Sequence, residues 1–231
     1  MRRPLALIGA HLLLLTALVG CTADDDPATD STGTAAVLPA AEEILQAAAT
    51  ELATVKTARF DISTEGTADV LGIRAADGVI TAEGDAQGQA QLDQGGSVVE
   101  LSFVVKGGTL HVKGLTGGWQ TLPLSLAASV YDPTAMLTPD RGVANLVRTT
   151  TGTTQARETL DGVDTYRIEG ELNGAALGGL VPGVTENVTG TLWVGADRRL
   201  LHRVSFPAPG QGGSVTVTFT EFDAPVTISE P

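Results

Sequence analysis

Three features of this sequence predict an α+β fold built on a large curved antiparallel sheet. Beyond residue 57, apolar and polar residues alternate with a period of two in many short segments. Glycine-bearing turn signals separate those segments by only a few residues, and short links join antiparallel neighbours. Helical periodicity is confined to a few stretches, so helices cannot alternate with every strand and must instead cover one face of the sheet.

The first residues have the pattern of an export leader. Arg2 and Arg3 form a basic start, and the apolar stretch Leu5 to Val19 is too short to span a bilayer. It ends in Leu18-Val19-Gly20-Cys21, with small residues before a thiol that is readily alkylated near neutral pH. Residues 1–20 are therefore expected to be a signal peptide, and Cys21 the site of lipidation. Two acyl chains, at about 0.8 kcal/mol per buried methylene, suffice for stable attachment. The expected location is outside the cell, anchored by lipid to the outer face of the cell membrane. Cys21 is the only cysteine, so the chain has no intramolecular disulfide. Residues 21–39, with Asp24, Asp25, Asp26, Pro27 and several threonines, read as a flexible tether. Residues 40–231 are expected to form one domain.

From Ala40 to Lys56, the residues Ile44, Ala48, Leu52 and Val55 fall on one helical face. The opposite face carries Glu42, Glu43 and Glu51; a membrane-surface helix is usually basic, so this one is expected to pack on a sheet. The one-sided strand rows are Phe60, Ile62 and Thr64; Ile80, Ala82 and Gly84; Leu101, Phe103 and Val105; Leu110 and Val112; Tyr166, Ile168 and Leu172; Leu192, Val194 and Ala196; His202, Val204 and Phe206; and Val215, Val217 and Phe219. Turns are expected at Ala76-Asp77-Gly78, Gln94-Gly95-Gly96, Lys106-Gly107-Gly108, Asp161-Gly162 and Ala196-Asp197. Tyr131-Asp132-Pro133-Thr134 reads as an N-cap leading into Ala135, Met136 and Leu137. Thr138-Pro139-Asp140 restarts a helix through Val143, Leu146 and Val147, and the glycine-rich run Asn173 to Val184 forms a further short one.

The net charge of −13 becomes −15 when Arg2 and Arg3 leave with the leader, which argues against a nucleic-acid partner and against adhesion to anionic lipid by charge. Aromatics make up only 4% of the chain and 28 residues are glycine, so the core is built from small aliphatic groups. Such a core is compatible with a cavity without requiring one.

No enzyme is expected. His11 leaves with the leader, and His111 and His202 fall in strand patterns as surface or edge residues without ligand-spaced partners. Glu42-Glu43 and Asp24 to Asp26 are solvated carboxylates, and Gly-x-Ser-x-Gly is absent. The glycine pairs lie at hairpins, whereas a phosphate loop lies between a strand and a helix. No cofactor or metal is expected, and the sequon Asn187-Val188-Thr189 carries little weight in a bacterial lipoprotein.

The order of lipobox, acidic tether, amphipathic helix and interrupted antiparallel sheet resembles the LppX, LprA, LprF and LprG lipoproteins of mycobacteria and related actinobacteria. The weight rests on the run Tyr131 to Ala144, on Val181-Pro182-Gly183, and on Leu192-Trp193-Val194 before Leu200-Leu201-His202-Arg203. The resemblance implies a LolA-like half-barrel with helices across its concave face enclosing an apolar cavity. It implies a carrier that holds the acyl chains of glycolipids or triacylglycerol and moves them across the cell envelope, with a major-facilitator transporter as partner. Candidate walls of that cavity are Phe60, Ile62, Leu101, Phe103, Val105, Leu110 and Val112 from the first strands. Met136, Leu137, Leu146, Leu177 and Leu180 come from the helical segments, and Leu192, Val194, Val204, Phe206, Val217 and Phe219 from the last strands. The run Leu177 to Gly183 would form a movable mouth. The alternative is a structural or regulatory envelope lipoprotein whose core is packed and holds no ligand.

Overall fold

The computed structural model describes residues 37–66, 72–114, 117–127, 135–178, 180–181, 184–208 and 212–231. Cys21, the expected leader, most of the expected tether and the expected cap at Tyr131 to Thr134 lie outside them.

Helix α1 (Ala41–Leu52) opens the described chain. Ala41, Ile44, Leu45, Ala48, Ala49 and Leu52 form its buried stripe, while Glu42 and Glu43 sit in the first turn, where the helix dipole favours negative charge. Six strands follow: β1 (Thr57–Gly66), β2 (Ile73–Thr81), β3 (Ala86–Gln94), β4 (Ser97–Lys106), β5 (Thr109–Lys113) and β6 (Gln120–Pro123). Short helices α2 (Leu124–Ala127) and α3 (Val143–Thr149) lead to β7 (Thr151–Leu160) and β8 (Val163–Leu172), and then come α4 (Gly174–Gly178), β9 (Val188–Gly195), β10 (Leu201–Pro207) and β11 (Gly213–Thr220).

All eleven strands form one open sheet in the order β6-β5-β4-β3-β2-β1-β11-β10-β9-β8-β7, and each pairing is antiparallel. Two meanders, β1–β6 and β7–β11, are joined where β1 pairs with β11. Because β6 and β7 are the opposite edges, the chain must cross the sheet between Pro123 and Thr151, and α3 lies on the inner face along that crossing.

Register confirms the expected one-sidedness. Thr154, Ile168, Leu192, Val204, Val217, Ile62, Ala76, Ala90 and Leu101 form one transverse row through nine strands. A second row reads Phe219, Phe60, Gly78, Gly88, Phe103 and Val112.

Several expectations are corrected. Ala76-Asp77-Gly78 is no turn but the middle of β2; the turn comes at Ala82 to Asp85, which the period-two pattern had counted as strand. A bulge between Leu201 and Arg203 puts Leu201, and not His202, opposite Val194. Thr138 does not start a helix. Its hydroxyl donates to the Ala135 carbonyl at 2.8 Å, and α3 begins only after Gly142. Gly142 has to be glycine, since a Cβ there would press on the carbonyl oxygens of Ala135 and Met136. The helix expected over Asn173 to Val184 is confined to five residues, capped by Asn173, whose Oδ1 accepts the Ala176 N–H at 3.0 Å. Asn187 is held in the fold, accepting from the Gly174 N–H at 2.9 Å and donating to Glu171 at 2.9 Å.

Candidate functional site

The inner face divides at β1. Under α1, α3 and α4 the row residues Ile168, Leu192, Val204, Val217 and Ile62 are all buried. Here Met136, Leu146, Leu177, Leu180, Val204, Phe206, Val217 and Phe219 meet around one wholly apolar void, joined by Val143 and Val181. Its volume is about 10 Å³. That is about one water-sized sphere, against roughly 300–1,000 Å³ for pockets that hold small ligands. Phe60, Ile62, Phe103, Val105, Leu137, Leu192 and Val194 are buried in the surrounding core without lining this void.

On the other side of β1 the face changes character. Leu101, Leu110 and Val112 are half-buried, and Leu122 is 43% exposed. The centre of this region has small residues: Ala76 and Gly78 on β2 lie opposite Ala90 and Gly88 on β3. Phe60 and Ile62 stand along one side of this patch, Leu101 and Phe103 along the other. The result is a trough of backbone and methyl groups between larger apolar side chains, in which Ala76, Gly88, Ala90 and Leu101 are half-buried while Phe60, Ile62, Gly78 and Phe103 are buried. Gly78 and Gly88 allow the strands to approach so closely that a Cβ on either would lie against the backbone of its neighbour. The sequence did signal this, in the alternation of Ala86, Gly88, Ala90 and Leu92 with Gln87, Gln89, Gln91 and Asp93. The apolar members are too small to stand out as a strand.

The polar face has cross-strand ion pairs on both sides of β1, Arg74–Asp93 at 2.7 Å and Lys106–Asp85 at 2.5 Å on the β2–β4 side. Across β7–β11, Trp193 Nε1 donates to Glu158 at 2.8 Å, Arg167 pairs with Glu158 at 3.2 Å and Arg203 reaches Asp161 at 2.7 Å. Thr216 donates to Ser205 at 3.1 Å. The indole hydrogen bond, with Arg167, holds the Glu158 carboxyl below its usual range. Across β1–β4, Asp61 lies directly opposite Asp77. Burial, reinforced by Asp77 and opposed by Arg203, pushes the Asp61 carboxyl up.

Among the described residues, neither His111 nor His202 belongs to a group of side chains that could hold a metal. Both are half-buried, deeper than the surface positions expected of them. His202 meets the Phe222 ring edge-on at 5.4 Å, and burial pushes its pKa down. His111 Nδ1 lies 3.3 Å from the Thr121 hydroxyl.

The inner face is thus lined chiefly by aliphatic and aromatic side chains on both sides of β1. A model of the LppX_LprAFG lipoprotein family matches residues 40–228. The chain belongs to that family. Among its relatives is the lipoarabinomannan carrier protein LprG of Mycolicibacterium hassiacum, 30% identical, with 98% of this chain and 97% of the relative aligned. LprG of Mycobacterium tuberculosis, which carries the same description, is 27% identical over 99% of this chain and 95% of its own. The fold is that of the solved LprF from Mycobacterium bovis (TM-score 0.73, 24% identity, 83% of this chain and 96% of that one). LppX from Mycobacterium tuberculosis shares it too (TM-score 0.62, 22% identity, 82% and 98%). LprF and LppX thus share the open antiparallel sheet, and the two LprG relatives are lipoarabinomannan carrier proteins.

Proposed function

We propose that this protein is a non-enzymatic carrier that holds the acyl chains of a glycolipid or triacylglycerol against the inner face of its sheet and moves them across the cell envelope. The observation that supports this is the trough, where Ala76, Gly78, Gly88 and Ala90 lie between larger apolar side chains and where Ala76, Ala90, Leu101, Leu110 and Val112 are only half-buried. Burying about 25 cal/mol per Å² of apolar surface, an alkyl chain laid there gains what a packed core gains elsewhere. The void under α3 and α4 is too small for such a chain as it stands. Entry there requires those helices to move away from Val204, Val217 and Phe219, and both are short enough to do so as units. The chain is exported and anchored through acylated Cys21, residues 40–231 act as the single lipid-binding domain, and a major-facilitator transporter is the partner that supplies or receives the cargo.

The test is to incubate the full-length lipoprotein with host membranes, re-isolate it, extract with organic solvent and identify what is released. Diacylated glycolipid or acylglycerol, at about one per protein and beyond the anchor itself, is the expected result. The small volume of the void favours the second reading, an envelope lipoprotein with a packed core. That reading predicts no released lipid and no uptake of an apolar fluorescent probe.

A further inference from the structure

The polar face of the β1–β6 meander has a groove that the acyl-chain reading does not use. It encloses about 350 Å³ and is bounded by Arg59, Asp77, Gln87, Gln89, Ser102 and Trp119. This volume lies in the range of small-molecule sites. Gln87 stands beside Val79, and Gln89 lies opposite both Asp77 and Ser102 in register, so their side chains share one surface. Trp119, just before β6, is 38% exposed.

What sets the groove apart is the state of its polar groups. On the matching surface of β7–β11, charged and hydroxyl side chains are tied to one another across strands. In the groove, only Arg59 has such a partner, Glu221 at 3.1 Å. Among the described residues Asp77, Gln87, Gln89, Ser102 and the Trp119 indole make no side-chain hydrogen bond to the protein. The two amides, a carboxylate, a hydroxyl and an indole N–H therefore present donors and acceptors of both kinds around an exposed aromatic plane.

We infer that this groove binds a neutral saccharide, separately from whatever occupies the inner face. A sugar ring offers hydroxyls that both donate and accept, to match amides and carboxylate, and an apolar face of C–H groups to lie on the indole. An anionic ligand fits poorly. Arg59 is already neutralised by Glu221, and Asp77 lies next to Asp61. The inference is independent of the carrier reading, since it concerns the opposite face.

The chain has two tryptophans, Trp119 and Trp193, so W193F leaves Trp119 as the only indole reporter. Full-length W193F is titrated with lipid-free linear tetrasaccharides of mannose and of glucose. A saturable shift in emission is expected, with Kd on the order of 1 mM or tighter. Calorimetry on otherwise unaltered protein should then show at least a tenfold weaker Kd for Q87A/Q89A and no measurable binding for W119A. Thermal unfolding should be unchanged, because these side chains hold nothing in the fold, and uptake of an apolar probe should also stay unchanged. No saturable response to either sugar, or equal affinity in W119A, overturns the inference. So does a sugar response that an extended peptide abolishes at lower concentration, since the groove would then be a peptide site.

Discussion

Followed from β8 to β1, the transverse row of the inner face reads Ile168, Leu192, Val204, Val217 and Ile62, all buried. Continued through β2 to β4 it reads Ala76, Ala90 and Leu101, all half-exposed. The strands and their pairing are of the same kind on both sides, so the difference lies in side-chain volume and in what lies over it. Large groups under α1, α3 and α4 interlock and leave about 10 Å³. Small groups in the row across β2–β4 stay half-buried and leave a trough, although Ile80, Ala86, Phe103 and Val105 beside them are buried. The polar face carries cross-strand pairs on both sides, but over β2–β4 the pairs Arg74–Asp93 and Lys106–Asp85 leave Asp77, Gln87, Gln89 and Ser102 without a side-chain partner among the described residues. One meander is thus a scaffold satisfied by its own residues, whereas the other has surface to offer on both faces.

The strongest test of that contrast is truncation on the two sides. Leu192→Ala, at a site with no exposure, should cost about 2–5 kcal/mol in urea unfolding, while Leu101→Ala on the half-exposed side should cost about 1 kcal/mol or less. Equal losses would mean that the trough is as tightly packed as the core. Gly88→Ala comes next, at about 1–3 kcal/mol, because its Cβ would press on the Asp77 carbonyl of the paired strand. Ala90→Phe should leave stability within about 1 kcal/mol of the parent, since the trough has room, yet reduce uptake of an apolar probe several-fold. Undiminished uptake would move the acyl site to the void under α3 and α4.

The smallest effects are electrostatic and opposite in sign. The Asp223 carboxyl is held below its usual range, chiefly by the Lys56 backbone N–H and then by Arg198. Its contribution is present above the unfolded pKa and lost as pH falls through the folded one, so Asp223→Asn should lower Tm more at pH 7 than at pH 3. Asp61 is pushed up by burial and by Asp77, so its ionised form is disfavoured in the fold. Its favourable contribution is present below the unfolded pKa and lost as pH rises through the folded one. Asp61→Asn should therefore raise Tm slightly at pH 7, with the gain fading on acidification. Scanning calorimetry at pH 7 and pH 3 checks both.

Large apolar residues made most of the scaffold legible. Phe60, Ile62, Leu192, Val204 and Phe219 declare their strands and their inner orientation by alternation alone. β3 and β7 escaped because their sequences, Ala-Gln-Gly-Gln-Ala-Gln-Leu-Asp-Gln and Thr-Gly-Thr-Thr-Gln-Ala-Arg-Glu-Thr-Leu, have few large apolar groups to mark an inner side. The polar groove was illegible for a related reason. Asp77 was assigned to a turn, and nothing local brings Trp119 near residues more than thirty positions earlier.

By itself, then, the sequence determined which side chains face inward, the antiparallel pairing and the family, because alternation and short links are local properties of the chain. Only the tertiary structure decided that β1 joins β11, that the transverse row passes from buried to half-buried beyond β1, and that Asp77, Gln87, Gln89, Ser102 and Trp119 surround one groove. These depend on contacts between distant segments, and no local pattern encodes which distant strand a given edge will meet.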